Sequence, residues 1–315
     1  MIPQYLDAAA TFASATITEC ADALEAALRS GMPGLADPPR EFMELPNGEM
    51  LIMPSRATGI PTIKIVTIMA DADGPPPRIK GVHLVFDPVT LAPTVIMDAA
   101  ALTVMRTTAI SIVALRALAD SNSSTLVVFG GGPQGSAHLD AVIAEWPITR
   151  AIVVARRPER VADVLTQARA RHPHVQIDLV RSSDADAHLR GADIVVCATT
   201  ATEPLFADPG HDLAAVAVGA HASDVRELPG ALVARAFVAV ENREAALREA
   251  GDIALPIADG LMSEQDIDAD LLELVRSPAP RTGARVFKSM GMGWEDAVVS
   301  ALLSRRHQSG IGSSS

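Results

Sequence analysis

The residue types and spacing most able to do chemistry lie at Gly130, Gly132 and Gly135. They sit in the stretch Thr125-Leu-Val-Val-Phe-Gly-Gly-Gly-Pro-Gln-Gly, where an apolar run suited to a buried parallel strand ends in a turn. A helix-compatible segment follows from His138. In that strand–turn–helix setting G-x-G-x-x-G is a dinucleotide cradle. Gly130 permits the tight turn, Gly132 lets the backbone approach a pyrophosphate, and Gly135 lets helix and strand pack closely. The pyrophosphate would rest on N–H groups at the helix N-terminus, so Gly130, Gly132, Pro133, Gln134 and Gly135 are candidate cofactor-binding residues. One strand later, at 148–155, the chain runs into Arg156-Arg157-Pro158-Glu159-Arg160. An NAD-selective site places an acidic residue there to accept from the ribose 2′-hydroxyl, whereas an arginine suits a 2′-phosphate. Arg156 and Arg157, with Arg160 beside them, therefore point to NADP(H), by charge-assisted pairing with a phosphate dianion. NAD(H) stays open as the second choice.

The elements that must carry these residues can be read from the hydrophobic pattern. After the polar breaker Asp120-Ser-Asn-Ser-Ser124, strand-like and helix-like segments alternate at 125–129, 137–145, 150–155, 158–171, 175–180 and 192–198. Further strands are expected at 214–218 and 237–240. That alternation predicts a Rossmann-type, doubly wound parallel sheet. The first third reads differently: a helix over 5–30, a hairpin at Asn47-Gly48, and strands at 62–69, 79–86 and 93–97, mostly antiparallel. Asp98 is placed to cap a long helix over 99–118 that carries Arg106. The fold class is therefore α/β, a Rossmann domain over 121–293 beside an α+β substrate-binding domain over 1–120. A helix at 294–306 returns to that first domain, and 307–315 form a flexible tail.

Composition bounds the function. The 315 residues, 49% apolar, suffice for two domains with cores, and the net charge of −12 argues against a nucleic-acid surface. Cys20 and Cys197 lie far apart, with no disulfide framework and no metal-site spacing, as in a reducing cytoplasm. No signal-peptide pattern opens the chain, and no uninterrupted apolar run reads as long enough to span a bilayer. A soluble, cytoplasmic protein with no membrane partner is expected.

Several short motifs in order give the sequence a family likeness. They are Pro39-Arg40, Ile63-Lys64, Asp98-Ala-Ala-Ala-Leu-Thr-Val-Met-Arg106-Thr-Thr-Ala, Ala192-Asp-Ile-Val-Val-Cys-Ala-Thr-Thr, Glu203-Pro204, Arg226-Glu-Leu, Arg243-Glu-Ala, Gly251-Asp and Phe287-Lys-Ser-Met-Gly291. In these the chain resembles the ornithine cyclodeaminase/μ-crystallin family over nearly its whole length. The resemblance implies hydride transfer at a carbon beside a carboxylate, a homodimer formed through the first-domain sheets, and Thr199 and Thr200 at the cofactor. It also implies that Arg40, Lys64 and Arg106 clamp the substrate carboxylate, which agrees with the bidentate fork that a guanidinium offers. Lys64 is in addition a candidate proton donor to an imine nitrogen, its pKa expected to be depressed by two neighbouring arginines.

One departure bears on the activity. Where cyclodeaminases of the family carry an aspartate, this chain has Gly219-Ala-His221, with Asp224 three residues on. An imidazole does not replace a carboxylate that holds an ammonium, but it could supply a proton to a reduced imine. The favoured reading is an NAD(P)H-dependent reductase of cyclic ketimine 2-carboxylates, Δ1-pyrroline-2-carboxylate or Δ1-piperideine-2-carboxylate, with Lys64 or His221 handling the proton. The alternatives are an ornithine cyclodeaminase, an alanine- or opine-type dehydrogenase, or a protein that binds NADPH or a small ligand without turnover. A second departure, Pro75-Pro-Pro-Arg78-Ile-Lys80, reads as solvated turn residues. His83 reads as a satisfied strand residue, and Glu241 and Asp252 carry no assigned chemistry.

Overall fold

The structure is a computed structural model that describes residues 2–32, 37–70, 78–280 and 282–312, with side chains through 307. The chain divides into two compact units, Met1–Ile110 with Gly291–Ser315, and Ser111–Met290.

In the first unit the chain runs β1 (Gln4–Leu6), α1 (Ala8–Ala13), α2 (Ile17–Arg29), β2 (Glu41–Leu45), β3 (Gly48–Ser55), β4 (Thr62–Met69), β5 (Ile79–Phe86), β6 (Pro93–Asp98) and α3 (Ala99–Leu118). The described strands form one sheet in the order β1-β6-β5-β4-β3-β2, antiparallel except for the parallel β1–β6 pair. The single helix expected over 5–30 is instead a strand and two helices. Asp7 caps α1 by accepting from the Ala10 N–H at 2.8 Å, and a Thr16–Glu19 capping box starts α2. Helical spacing of apolar residues is blind both to these caps and to a strand partner some ninety residues away, Tyr5 pairing with Ile96. The hairpin forms where Asn47-Gly48 marks it, but its link is Pro46-Asn47 and Gly48 already pairs with Leu45. Glycine is needed there for a close approach: a Cβ on Gly48, at φ +155°, would lie 2.0 Å from the Ile68 carbonyl oxygen.

Helix α3 begins where Asp98 accepts from the Ala101 N–H at 2.8 Å. By length and composition alone it could cross a membrane, although Arg106 and Arg116 interrupt its apolar run. Yet 83% of that window is buried inside the protein, as in a core helix. The two units meet in sequence within α3, between Ile110 and Ser111, rather than at the polar break after Asp120. The C-terminal part of the helix is held in the second unit, where Arg116 pairs with Glu145 at 3.0 Å and the Ala117 carbonyl accepts from the Ala279 N–H.

The second unit continues with β7 (Thr125–Phe129), α4 (Pro133–Glu145), β8 (Arg150–Ala155), α5 (Ala162–Arg171), β9 (Gln176–Arg181), α6 (Ala185–Leu189), β10 (Ile194–Cys197) and β11 (Ala214–Ala217). Then come α7 (Gly230–Arg235), β12 (Phe237–Val240), α8 (Arg243–Glu249), α9 (Gly251–Ala258), β13 (Ile267–Asp270), α10 (Leu271–Arg276) and β14 (Arg285–Lys288). All described strand pairs are parallel, in the order β13-β12-β14-β11-β10-β7-β8-β9, which is the doubly wound sheet expected. The central β10 and β11 are buried at every residue, as strands covered on both faces must be. Two strands went unread: β13 and β14 have four residues each, and β14 slots between β11 and β12. The last helix, α11 (Gly293–Gly312), packs on α2, β3 and β4 of the first unit and continues past residue 307, where a loose tail was expected.

The glycine turn also determines how closely α4 can approach β7. A Cβ on Gly135 would fall 1.8 Å from the Gly130 carbonyl oxygen and 3.4 Å from Val128 Cγ1. Gly135→Ala should therefore destabilise the protein by about 1–3 kcal/mol, from forced backbone displacement. Urea unfolding of the two proteins measures this, and equal midpoints would refute the packing argument.

Candidate active-site residues

In the first unit, alternation along β4 turns Thr62, Lys64 and Val66 to the buried side. Met53 of β3 and His83 of β5 flank Lys64 in register. The Lys64 ammonium donates to Asp296 Oδ1 at 3.0 Å and lies 2.8 Å from Oδ2. Arg106, on α3, donates from Nη1 to Glu295 Oε2 at 2.9 Å, and its Nε lies 3.4 Å from Asp296 Oδ1. Glu295 and Asp296 stand in the first turn of α11, where the unpaired N–H groups of a helix start favour carboxylates. All four side chains are buried, so two cations and two carboxylates form a neutral quartet. Gly291 makes room for it: with φ at +82°, a Cβ there would lie 2.4 Å from Arg106 Nη1.

Burial pushes the Lys64 pKa down to about 8; Asp296 opposes this, Arg106 adds to it, and Glu295 opposes it weakly. The depression expected from two arginines is present, but its leading cause is desolvation, and Arg106 is the arginine that adds to it. Asp296 is raised by burial, but Lys64, Arg106 and His83 outweigh that and hold it below the usual carboxylate range. Burial takes His83 down to about 4, so this imidazole is neutral near pH 7, with Nε2 3.0 Å from Ser300 Oγ. Arg40, half-buried ahead of β2, stacks its guanidinium 5.2 Å from the Phe42 ring centroid.

In the second unit the glycine turn has the geometry of a cradle. Gly130, at φ +105°, donates to the Val154 carbonyl at 2.9 Å, and a Cβ there would strike the Ala198 carbonyl oxygen at 2.3 Å. Gly132 caps α4 with extended backbone and no side-chain hydrogen bond, Pro133 takes the first helical position, and the space beside Gly132 is open. An open helix start faced by a residue without a side chain fits a pyrophosphate. The Gln134 carbonyl is 2.7 Å from His138 Nδ1, a contact inside the fold. Arg156 is exposed and Arg157 half-buried, directly after β8. Arg181, ending β9, joins them: its Nη1 donates to the Arg156 carbonyl at 3.5 Å.

Around His221 a polar network shapes the loop. Glu227 Oε1 accepts from the Thr199 N–H and hydroxyl at 2.8 and 2.7 Å, and Oε2 from the N–H groups of Gly219 and Ala220 at 2.7 and 3.2 Å. Burial raises the Glu227 pKa, against the pull of Lys288. Asp252 Oδ1 accepts from the N–H groups of Glu227 and Leu228, while its Oδ2 pairs with Lys288 at 3.0 Å. Lys288 in turn donates to the Ala220 carbonyl at 2.6 Å. The loop into His221 is thus held from both sides, and His221 itself is half-buried, with Nδ1 3.4 Å from the Gly219 carbonyl. The Thr199 hydroxyl gives its proton to Glu227, so its part is to hold the loop, while Thr200 is exposed. Asp224 is exposed as well.

Of the residues read from the sequence, Lys64 and Arg106 come together in one cluster. Reading missed Glu295, Asp296, Gly291, Glu227 and Lys288 as partners, and gave Asp252 no role. The Glu-Asp pair after Trp294 looks like ordinary helix-start chemistry, and only the cations of β4 and α3 give it meaning. Glu241, also unassigned, accepts from the Ser289 hydroxyl and the Met290 N–H. Arg78 donates from Nε and Nη2 to the Met69 carbonyl, closing the β4–β5 connection, and Lys80 is exposed. Pro75–Pro77 lie outside the described residues.

Comparison with known proteins places these features in a family. A Δ1-pyrroline-2-carboxylate reductase of Bacillus cereus is 31% identical over 265 residues, 80% of each chain. The ketimine reductase mu-crystallin of Rattus norvegicus is 32% identical over 265 residues, 81% of this chain and 80% of that one. Among solved structures, the Δ1-pyrroline-2-carboxylate reductase of Thermococcus litoralis in complex with NADH and L-proline superposes with a TM-score of 0.89. It is 27% identical, over 98% of each chain. Residues 4–310 match the ornithine cyclodeaminase/mu-crystallin family, and the chain belongs to that family.

Proposed function

We propose that this protein is a nicotinamide-dependent reductase of cyclic ketimine 2-carboxylates, converting Δ1-pyrroline-2-carboxylate or its six-membered analogue to the cyclic amino acid. The observation that carries the reading is the buried Lys64, held with Arg106 in one charge cluster and lowered to about 8. The reductase names of its relatives, and the proline held by the Thermococcus litoralis enzyme, support the same chemistry. A bound nicotinamide would supply hydride to the imine carbon. The chain's own residues do the rest. Arg106 and Arg40 offer guanidinium forks to the substrate carboxylate, which sets the orientation of the ring. Lys64 passes a proton to the imine nitrogen, a transfer suited to an acid whose pKa lies near the working pH. His221, in place of the cyclodeaminases' carboxylate, is the second candidate for that proton and removes the anion that would hold a diamine's ammonium. Arg156 and Arg157 select NADP(H) over NAD(H) through its 2′-phosphate. A homodimer in the cytoplasm completes the reading.

The direct test mixes the protein with NADPH and Δ1-pyrroline-2-carboxylate or Δ1-piperideine-2-carboxylate and follows absorbance of the reduced cofactor. Steady oxidation is expected. No oxidation, with ammonia released from ornithine instead, would replace this reading by the cyclodeaminase. Lys64→Met should lower kcat by about 10²–10⁴-fold. A loss confined to KM would leave Lys64 a binding residue only. Arg156→Ala should raise the KM for NADPH by about 10–100-fold, the loss of a charge-assisted hydrogen bond, and leave that for NADH unchanged. Equal effects on both cofactors would remove Arg156 from phosphate recognition.

A further inference from the structure

Lys64 is buried in a β-strand, and a buried ammonium tends to shed its proton unless an anion holds it. The groups around it can be taken element by element. On the β3 side stands Met53, which carries no charge. On the β5 side stands His83, kept neutral by burial and turned through Nε2 to Ser300. From α3 comes Arg106, a like charge that works against the ammonium. From α11 come two carboxylates: Glu295 receives Arg106, whereas Asp296 accepts from Lys64 through Oδ1 at 3.0 Å, with Oδ2 2.8 Å from the same ammonium. Among the described residues Asp296 is the one carboxylate in contact with Nζ.

We propose that Asp296 is a positioning residue that keeps Lys64 protonated in the core and aims its ammonium, so that each turnover starts from the acid form. Its Oδ1 also lies 3.4 Å from Arg106 Nε, so one carboxylate sets the spacing of two cations intended for the same substrate. In turnover an N–H bond of Lys64 breaks as the N–H bond of the product amine forms. The neutral lysine stays within the carboxylate's reach and takes its next proton from water. The place of this device in turnover rests on the proposed reductase activity, whereas the protonation of Lys64 is observable without any turnover.

The sequence contains three lysines, Lys64, Lys80 and Lys288, so lysine labelled with carbon-13 at Cε gives three resonances to follow by NMR through a pH titration. Lys64→Met identifies the signal. In the unaltered protein the Lys64 midpoint is expected at about 8. Asp296→Asn should move it toward acid by about one pH unit or more, the effect of removing an opposite charge in contact, and Asp296→Glu should largely restore it. The alkaline limb of the kcat profile should follow the same order, because activity that needs the ammonium is lost as pH rises through the Lys64 pKa. A merely structural Asp296 would lower the amplitude of activity and leave both midpoints in place, which would overturn the proposal. Should Asp296→Asn not fold, Asp296→Glu and the unaltered protein carry the test. A Lys64 midpoint below neutrality in the intact protein would mean that Asp296 does not hold the proton, and would likewise overturn it. Shifted midpoints without imine reduction would sustain the role of Asp296 and discard the reductase. Reduction with unshifted midpoints would do the reverse.

Discussion

Four buried charges organise the first unit: Lys64 and Arg106 against Asp296 and Glu295. Taking an ion out of water costs several kcal/mol, and the cost is recovered only with close, well-aligned partners. β4, α3 and α11 are therefore bound together by something stricter than apolar contact. Loss of one partner from such a pair costs about 3–5 kcal/mol, since the other is left buried and uncompensated. The partners lie 232 positions apart in the Lys64–Asp296 pair, so the last helix is part of the site as much as of the scaffold. Gly291 belongs to the same constraint, because any side chain there would occupy the guanidinium's space.

The second unit applies the same physics to shape a loop. Glu227 accepts four donors at the carboxyl ends of β10 and β11, and Asp252 with Lys288 anchors that carboxylate's own backbone. A buried polar network of this kind favours one backbone arrangement, because displacing the loop would leave more of its polar groups unpaired. The glycine turn shapes its neighbourhood by absence: Gly130 and Gly135 admit close backbone approach, while Gly132 leaves its surroundings open. The sheet, with its strands all ending toward these loops, is the arrangement in which open α/β folds carry ligands.

Charge balance distinguishes the two candidate acids. Lys64 sits where burial and a like-charged neighbour press it downward while Asp296, and more weakly Glu295, resist, so its protonation is a product of tertiary placement. His221 sits in a half-buried loop whose backbone is held by Glu227 and Lys288, so its placement is ordered while its ring stays accessible.

Much of this is legible in the sequence itself. The Gly130-x-Gly132-x-x-Gly135 turn, the Asp98 cap, the hairpin and the alternation of strand and helix are encoded within a few residues of one another, and local steric and hydrogen-bond rules decide them. Lys64 and Arg106 were legible through family likeness. The division of the chain inside α3, the strand–helix–helix start in place of one helix, and the slotting of β14 between β11 and β12 were not. Each depends on which distant segment a face meets. The same holds for the carboxylates that pair with these two cations. Glu295 and Asp296 look like ordinary helix-start acids in the chain, and only folding brings them to Lys64 and Arg106. Sequence determined which groups could do the chemistry, because side-chain type and short-range spacing are written in it. Tertiary structure alone decided their protonation and pairing, because desolvation and charge contact arise only when remote elements pack.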